Sequence, residues 1–183
     1  MAAVLALGMA SPAIAQQAIP SEDLLTAIRE GDANKFIGSL DKSGNIANVR
    51  GFDGWTPLAA AVEKRNMSFA TYLIDKGADP NLATREGLTP LIIATQLRWD
   101  EGASMLLQSG AKVDGTNRQG ETPLILAVQL RNTLMVRRLL QAGADPDKTD
   151  HAAGYSARDY AKRDNRVRDI LRLIETARPA PAR

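Results

Sequence analysis

One tripeptide, Thr-Pro-Leu, occurs three times in this chain at a fixed interval of 33 residues, beginning at Thr56, Thr89 and Thr122. A fixed period of this size indicates one supersecondary unit that is stacked several times, each unit contacting its neighbours. Three further columns of residues keep the same interval. They are Gly54, Gly87 and Gly120; Ala61, Ala94 and Ala127; and the pairs Gly77-Ala78, Gly110-Ala111 and Gly143-Ala144. The chain is therefore constrained to a linear array of short units.

The residues of one unit predict a tight turn followed by two helices. Gly54 permits the positive φ of a turn, the hydroxyl of Thr56 can cap the next helix, and Pro57 suits its first position. Small side chains follow on the first helix, and longer apolar ones such as Leu73 lie on the second. Gly77 then favours a left-handed helix stop. One such unit cannot bury both of its faces, so neighbouring units must complete the core.

These columns resemble the ankyrin repeat, a β-turn followed by two antiparallel helices. The resemblance covers residues 21–177 and implies an all-α repeat solenoid of stacked helix-turn-helix units with short β-hairpin tips. Two partial units flank the three clear ones, at residues 21–44 and from Gly154 onward. Arg158 occupies the column that holds leucine in the clear units, and we expect it to face solvent. The sequence thus predicts about five helix pairs, counting both caps.

The first fifteen residues have a different pattern. An apolar run from Val4 to Met9 is followed by the small-x-small site Ala13-Ile14-Ala15, which is typical of a cleaved secretory signal peptide. No Lys or Arg precedes the run, so the recorded start is either internal to a longer leader or belongs to an unusual anchor. A retained anchor and a plain disordered tail are the alternatives, although the run is too short to span a bilayer.

The chain is accordingly divided into four segments. We expect a signal peptide at residues 1–15, a short linker at 16–20, the repeat domain at 21–177 and a disordered tail at 178–183. The chain carries 23 basic and 21 acidic residues, a net charge of +2 that does not favour a polyanion partner. Its 16 Arg against 7 Lys, together with the Ala-rich leader, favour a bacterial source.

No catalytic constellation is evident. The chain has no Cys and a single His, His151, so Ser-His or His-based metal sites lack partners. Acidic residues recur near the ends of the units, where a turn residue bonded to its own backbone is the simpler interpretation. They are Asp79, Asp114, Asp145 and Asp147. We therefore expect neither an enzyme nor a cofactor, metal or small-molecule substrate.

The resemblance also implies a binding surface. In ankyrin-repeat proteins the tips and the exposed side of the first helices form a concave groove that grips a partner protein. Large apolar side chains on turns are hard to bury in the stack, and Trp, Tyr and Arg are the usual interface anchors. The predicted partner-binding residues are Phe52, Trp55, Arg85, Leu88, Arg118, Glu121 and Tyr155. Alternatively, Phe52 and Trp55 seal the junction with the first helix pair.

The sequence departs from the family pattern at two places. The usual His after Thr-Pro-Leu is absent, so we expect the tips to rely on packing. The turn between the two helices holds Arg65-Asn66, Arg98-Trp99 or Arg131-Asn132, and Asn is predicted to take the left-handed conformation there. The Arg column either stabilises the negative end of its own helix or forms a ladder for an acidic partner.

These observations predict a non-catalytic protein–protein interaction scaffold of the bacterial cell envelope, periplasmic or secreted. A secreted effector or inhibitor with a target outside the cell is the alternative. An enzyme or a polyanion binder is disfavoured by the missing His and Cys sites and by the modest charge. We expect a monomer that binds neither nucleic acid nor, once the signal peptide is removed, a membrane stably.

Overall fold

A computed structural model describes residues 20–42 and 47–177. Within these residues ten α-helices form five consecutive pairs, which we call units 1 to 5. The first helices of the pairs are α1 (Pro20–Glu30), α3 (Pro57–Glu63), α5 (Pro90–Gln96), α7 (Pro123–Gln129) and α9 (Ala157–Arg163). The second helices are α2 (Ala33–Lys42), α4 (Met67–Asp75), α6 (Asp100–Gln108), α8 (Thr133–Gln141) and α10 (Arg168–Thr176), the last after a 3-10 turn at Asn165–Val167.

The predicted solenoid is confirmed by the order in which these helices pack. Each first helix contacts the first helix of the next unit, from α1 through to α9, and each pair packs on itself. Alanines on the first helices allow this close approach, and the leucine column fills the space between units: Leu58, Leu91 and Leu124 are at most 1 % exposed. The predicted signal peptide and C-terminal tail lie outside the described residues. Helix α1 begins at Pro20, the last residue of the predicted linker.

The first helices begin as the sequence predicts. The hydroxyls of Thr56, Thr89 and Thr122 each accept the backbone N–H three residues on, at 3.2–3.3 Å. In unit 5 Ser156 forms a capping box with Asp159 instead. Each cap satisfies a backbone donor that a helix start would otherwise leave unpaired. Among the helices of residues 20–42 and 47–177, none combines the length and apolar character needed to cross a membrane.

The turn between the two helices of a unit differs from the prediction. The left-handed residue is arginine and not asparagine, with φ of 50° at Arg65 and 54° at both Arg98 and Arg131. Asparagine follows as the cap of the second helix: the side-chain oxygen of Asn66 accepts the N–H of Phe69 at 3.0 Å. The left-handed residue thus comes directly before the cap position of the second helix in units 2 to 4.

Unit 3 replaces the capping asparagine with Trp99. This side chain makes no capping hydrogen bond and is buried, with its ring lying against Gly102 of the same helix start. A Cβ at Gly102 would overlap the ring. Unit 3 therefore secures its second helix by packing at the point where units 2 and 4 use a hydrogen bond.

The tips are turns and not the predicted short β-hairpins. In the described residues there is no β-strand, and the only ladder contact is an isolated antiparallel bridge between Thr149 and Ser156. Four turns, which we call tips 2 to 5 after their units, occupy residues 51–55, 84–88, 117–121 and 150–155. In tip 2 the N–H of Gly51 donates to the carbonyl of Trp55 at 2.9 Å. A single closing hydrogen bond of this kind makes a turn too short for strand pairing.

Candidate functional site

The tips form a row in which each is fastened to the one before. The backbone N–H of Arg85 donates to Gly54 O at 2.8 Å, and its guanidinium donates to Phe52 O at 2.9 Å. The Arg118 guanidinium donates in the same way to Arg85 O. We expected the tips to rely on packing in the absence of the family's His, but these two arginines supply the hydrogen bonds.

Three of the four large apolar residues predicted on the tips are partly used in packing. Trp55 and Leu88 are half-buried and lie against the core. Tyr155 is half-buried as well: its ring meets Tyr160 edge-on with centroids 5.6 Å apart, and the Arg163 guanidinium lies 4.2 Å from its centroid. The structure thus gives each of these three side chains a role within the array.

Phe52 is different, because 69 % of its surface is exposed. Its backbone N–H donates to the Glu22 carboxylate of α1 at 2.5 Å, so the backbone is anchored while the ring is left on the surface. The junction with unit 1 is instead filled by Phe36 and Phe69, whose rings stack 4.1 Å apart. The alternative that Phe52 seals this junction is therefore wrong, whereas the half-buried Trp55 does pack inward.

Phe52 belongs to a column of exposed residues, one on each tip. Arg85, Arg118 and His151 follow it at intervals of 33 residues, and each lies across the glycine of the preceding tip. In unit 1 the described chain enters helix α1 directly at Pro20, so no described tip precedes Phe52. Phe52 is thus the aromatic member of this column and lies on the first of the described tips.

A groove of about 560 Å³ opens between tip 3 and tip 4. Its lining residues are Glu86, Leu88, Gln96, Asn117, Arg118, Gln119 and Glu121. Three of the predicted site residues, Leu88, Arg118 and Glu121, meet here, while Phe52 and Trp55 lie on tip 2 and Tyr155 on tip 5. The tips and the first helices therefore form one surface, with the groove at the corner between them.

One residue of this groove, Asn117, was missed by the sequence reasoning. It is buried, and its amide N–H donates to Glu121 at 2.7 Å while its side-chain oxygen accepts the N–H of Glu121 at 2.9 Å. The signal that could have found it is periodic, because Thr84 and Asp150 place side-chain oxygens at the same position of their tips and accept tip N–H groups. The column builds the tips and orients their side chains.

The opposite edge of the array holds the arginine column of the interhelix turns. Arg65 donates to the carbonyl of Leu97 and Arg98 to that of Leu130, each at the C-terminal end of the next unit's first helix. Arg131 donates to the Asp164 carboxylate at 3.0 Å. The expectation that each Arg meets its own helix is thus wrong. Arg65 and Arg98 offset the negative helix end of the next unit, Arg131 pairs with a carboxylate of unit 5, and each of the three joins two units.

Asp164 receives a second arginine as well. The Arg166 guanidinium donates to it at 2.9 Å, and this bond is the main reason that the pKa of Asp164 lies well below its usual range. The carboxylate is therefore ionised at neutral pH. The column thus ends on a charged acceptor within the chain itself.

Two of the four recurring carboxylates are turn residues as predicted. Asp79 accepts the N–H two residues on at 2.8 Å, and Asp145 does so at 2.9 Å. Asp114 instead accepts the N–H of Asp145, 31 residues later, at 3.1 Å. Asp147 pairs with Arg158 at 2.6 Å, so Arg158 is half-buried and bonded and does not simply face solvent as predicted.

Stacked helix pairs joined by tips and turns define a repeat solenoid with an open binding surface. A family model described as ankyrin repeats, in three copies, matches residues 24–117 and again 77–150. These overlapping matches cover more than half of the chain, which therefore belongs to the ankyrin-repeat family. No curated protein matches it significantly. Ankyrin repeats indicate a protein–protein interaction scaffold.

Proposed function

We propose that this chain is a non-catalytic scaffold of the bacterial cell envelope that holds a partner protein against its tips and the concave face of its first helices. The observation that carries the proposal is Phe52, an aromatic residue with an anchored backbone that is 69 % exposed on the first described tip. Aromatic residues, Phe among them, are enriched in protein interfaces, whose buried centre is surrounded by a polar rim. Phe52 has such surroundings, because Arg29 and Asp53 form an ion pair beside it.

The groove supports the same surface. It lies one tip further along the row, and it combines the apolar Leu88 with amide and carboxylate groups. A partner that covered both features would bury an aromatic anchor at one end and fill a polar groove at the other. This arrangement of a few strong contacts and a polar rim is typical of specific interfaces.

The cell-envelope location is supported by the sequence before the array. The apolar run and the site at Ala13-Ile14-Ala15 favour export and cleavage, which would make Gln16 the first mature residue. Edman sequencing of the native protein from an envelope fraction should begin at Gln16. An intact chain recovered from the cytosol would contradict export. Recovery mainly from the culture medium would favour the alternative, a secreted effector or inhibitor.

Site-specific crosslinking tests the binding surface. Phe52 would be replaced by the photo-crosslinking residue p-benzoylphenylalanine in the producing cells, which preserves an aromatic ring at that position. Leu134 offers a matched control, since it is apolar and 48 % exposed but lies on α8, a second helix. We expect an adduct with one partner protein from position 52 and none from position 134. An adduct from position 134 alone would place the interface on the second helices and contradict the proposal.

A further inference from the structure

The tip row carries one residue that breaks its pattern inside the groove. The position is apolar in three tips, which hold Trp55, Leu88 and, after a one-residue insertion, Tyr155. Tip 4 holds Glu121 there. All three apolar side chains are half-buried, so unit 4 places a carboxylate where its neighbours place packing groups.

This carboxylate is held in a fixed position by neutral donors. Its two oxygens accept separate amide N–H groups, one from Asn117 at 2.7 Å and one from Gln129 of α7 at 3.3 Å. Among the described residues neither Glu121 nor Glu86, on the facing tip, forms an ion pair. A carboxylate with only neutral donors has no counter-ion, so a cation of a partner can form a charge-assisted hydrogen bond with it.

The remaining charges of the groove leave it acidic. Its lining contains two carboxylates, Glu86 and Glu121, and one cation, Arg118. The Arg118 guanidinium is already bonded to the carbonyl of Arg85 on tip 3. Beside the carboxylates lies Leu88, which offers an apolar surface. The groove thus pairs an aliphatic wall with a net charge of one negative unit.

We propose that this groove takes a lysine or arginine side chain from an extended segment of the partner protein. The inference rests on the proposed function and specifies what the partner presents. Long basic side chains bury their methylene stems along apolar surfaces and keep the charged head among polar groups. Here the stem would lie against Leu88, and the head would donate to Glu121 and Glu86 in charge-assisted hydrogen bonds. An acidic or purely apolar segment would leave both carboxylates without an oppositely charged partner.

Selection from a displayed library of random ten-residue peptides tests the inference without knowledge of the natural partner. We expect peptides selected on the purified chain to share Lys or Arg at one fixed position. Glu121→Gln keeps the shape and one of the two oxygen acceptors but removes the charge. It should weaken the binding of such a peptide about tenfold, the size of one good charge-assisted bond. Glu101→Gln on the exposed side of α6 is the matched control and should leave the affinity unchanged.

The outcomes separate the inference from the proposed function. Peptides that need Phe52 but carry no common basic residue would overturn the inference and leave the tip surface intact. Peptides that bind equally well after Phe52→Ala and Glu121→Gln would overturn both. A basic peptide that loses affinity equally with Glu101→Gln and Glu121→Gln would show general charge attraction and would also overturn the inference. Circular dichroism of each variant confirms that the fold is retained.

Discussion

Both edges of the array carry an arginine column with the same spacing, and the two columns join the units in opposite directions. At the turn edge Arg65 and Arg98 donate forward, to the carbonyl that ends the first helix of the next unit. At the tip edge Arg85 and Arg118 donate backward, to a carbonyl of the preceding tip. Positive charge that repeats with the unit is therefore committed to the joints between units on both edges.

The two edges differ in which residues depart from the 33-residue repeat pattern. At the turn edge the arginines of units 2 to 4 all adopt the same left-handed conformation and all bind a neighbouring unit. At the tip edge two residues depart from the column that they occupy: Phe52 is aromatic where tips 3 and 4 hold arginine, and Glu121 replaces an apolar side chain. At this edge the arginines that keep the period hold the joints, while Phe52 lies exposed and Glu121 lines the groove. Trp99, which breaks the period at the turn edge, is buried instead.

The largest loss of stability is expected for the leucine column inside the stack. Leu124 is fully buried between units, and Leu124→Ala should lower the free energy of unfolding by about 2–5 kcal/mol, because it removes buried surface and leaves a cavity. Arg158→Ala, at the same column of unit 5, should cost less than about 1 kcal/mol, since it removes a partly exposed ion pair with Asp147. Urea unfolding of both variants would decide this. Equal losses would mean that unit 5 is packed like the interior.

At the turn edge, two substitutions of Arg98 separate the contribution of its side-chain hydrogen bond from the cost of its backbone conformation. Arg98→Gln keeps a side chain in the left-handed conformation but loses the bond to Leu130 O, and it should cost about 1 kcal/mol. Arg98→Gly loses the same bond but relieves the backbone, so its loss should be smaller. Urea unfolding measures the difference. Identical losses would show that the φ of 54° at Arg98 carries no cost.

Most of the fold could be predicted from the sequence because its chemistry is local and repeated. The Thr-Pro pairs cap and begin the first helices, and the glycines at Gly54 and Gly77 take the positive φ values that the pattern required. The cap or the conformation of each of these residues is set within its own unit, and three copies of the same pattern make the prediction strong. The helix pairs and their stacking follow directly.

The sequence could not show which hydrogen bonds join one unit to the next. The left-handed conformation was predicted for asparagine, but the arginine before that position takes it in all three turns, including the turn in which Trp99 replaces asparagine. Likewise the partner of Arg65 lies 32 residues away, on a carbonyl that only the stacking brings near. Among the predicted site residues, Phe52 is exposed whereas Trp55 is half-buried. The sequence does not show this difference, because exposure depends on packing against the neighbouring unit.

A smaller effect on stability, which depends on pH, is expected where the loops of successive units are joined by side-chain hydrogen bonds. Asn48 and Asn81 each donate an amide N–H to a glycine carbonyl 29 residues on, at 2.8 and 3.2 Å, and each accepts a backbone N–H of the next loop. Asp114 stands at the same position one unit later and accepts the N–H of Asp145. An ionised carboxylate has no N–H to donate, so this joint lacks one bond until Asp114 is protonated.

The sign of the pH effect follows from the pKa. Burial is the main cause that raises the pKa of Asp114, and the nearby Asp145 carboxylate adds to it, whereas the Asp145 N–H and the Lys148 ammonium act in the opposite direction. Because the folded pKa exceeds the unfolded one, the contribution of Asp114 to stability is present below the unfolded pKa and is lost as pH rises through the folded value.

Replacement of Asp114 should therefore be stabilising at neutral pH. Asp114→Asn restores the donor, and it should raise the free energy of unfolding at pH 7 by about 0.5–1 kcal/mol, with a smaller gain at acidic pH. Asn81→Asp is the converse control and should introduce the same pH dependence one unit earlier. Urea unfolding of the three proteins at pH 7 and near pH 4 measures both. A gain from Asp114→Asn that is the same at both pH values would show that ionisation is not its cause.

The smallest change in stability is expected at the residue with the most exposed ring. Phe52→Ala should alter the free energy of unfolding by no more than about 0.5 kcal/mol, because the ring packs on little of the array. The same change should weaken the binding of a partner identified by crosslinking by about 2 kcal/mol, roughly thirtyfold in affinity. Trp55→Ala differs, because loss of its half-buried ring should lower both the stability of the protein and the affinity for the partner.

Replacing the arginines of all three interhelix turns by Gln should lower stability and leave the affinity unchanged. If the affinity falls in that variant and not in Phe52→Ala, at both low and high salt, the partner binds at the turn edge and the roles assigned to the two edges must be exchanged.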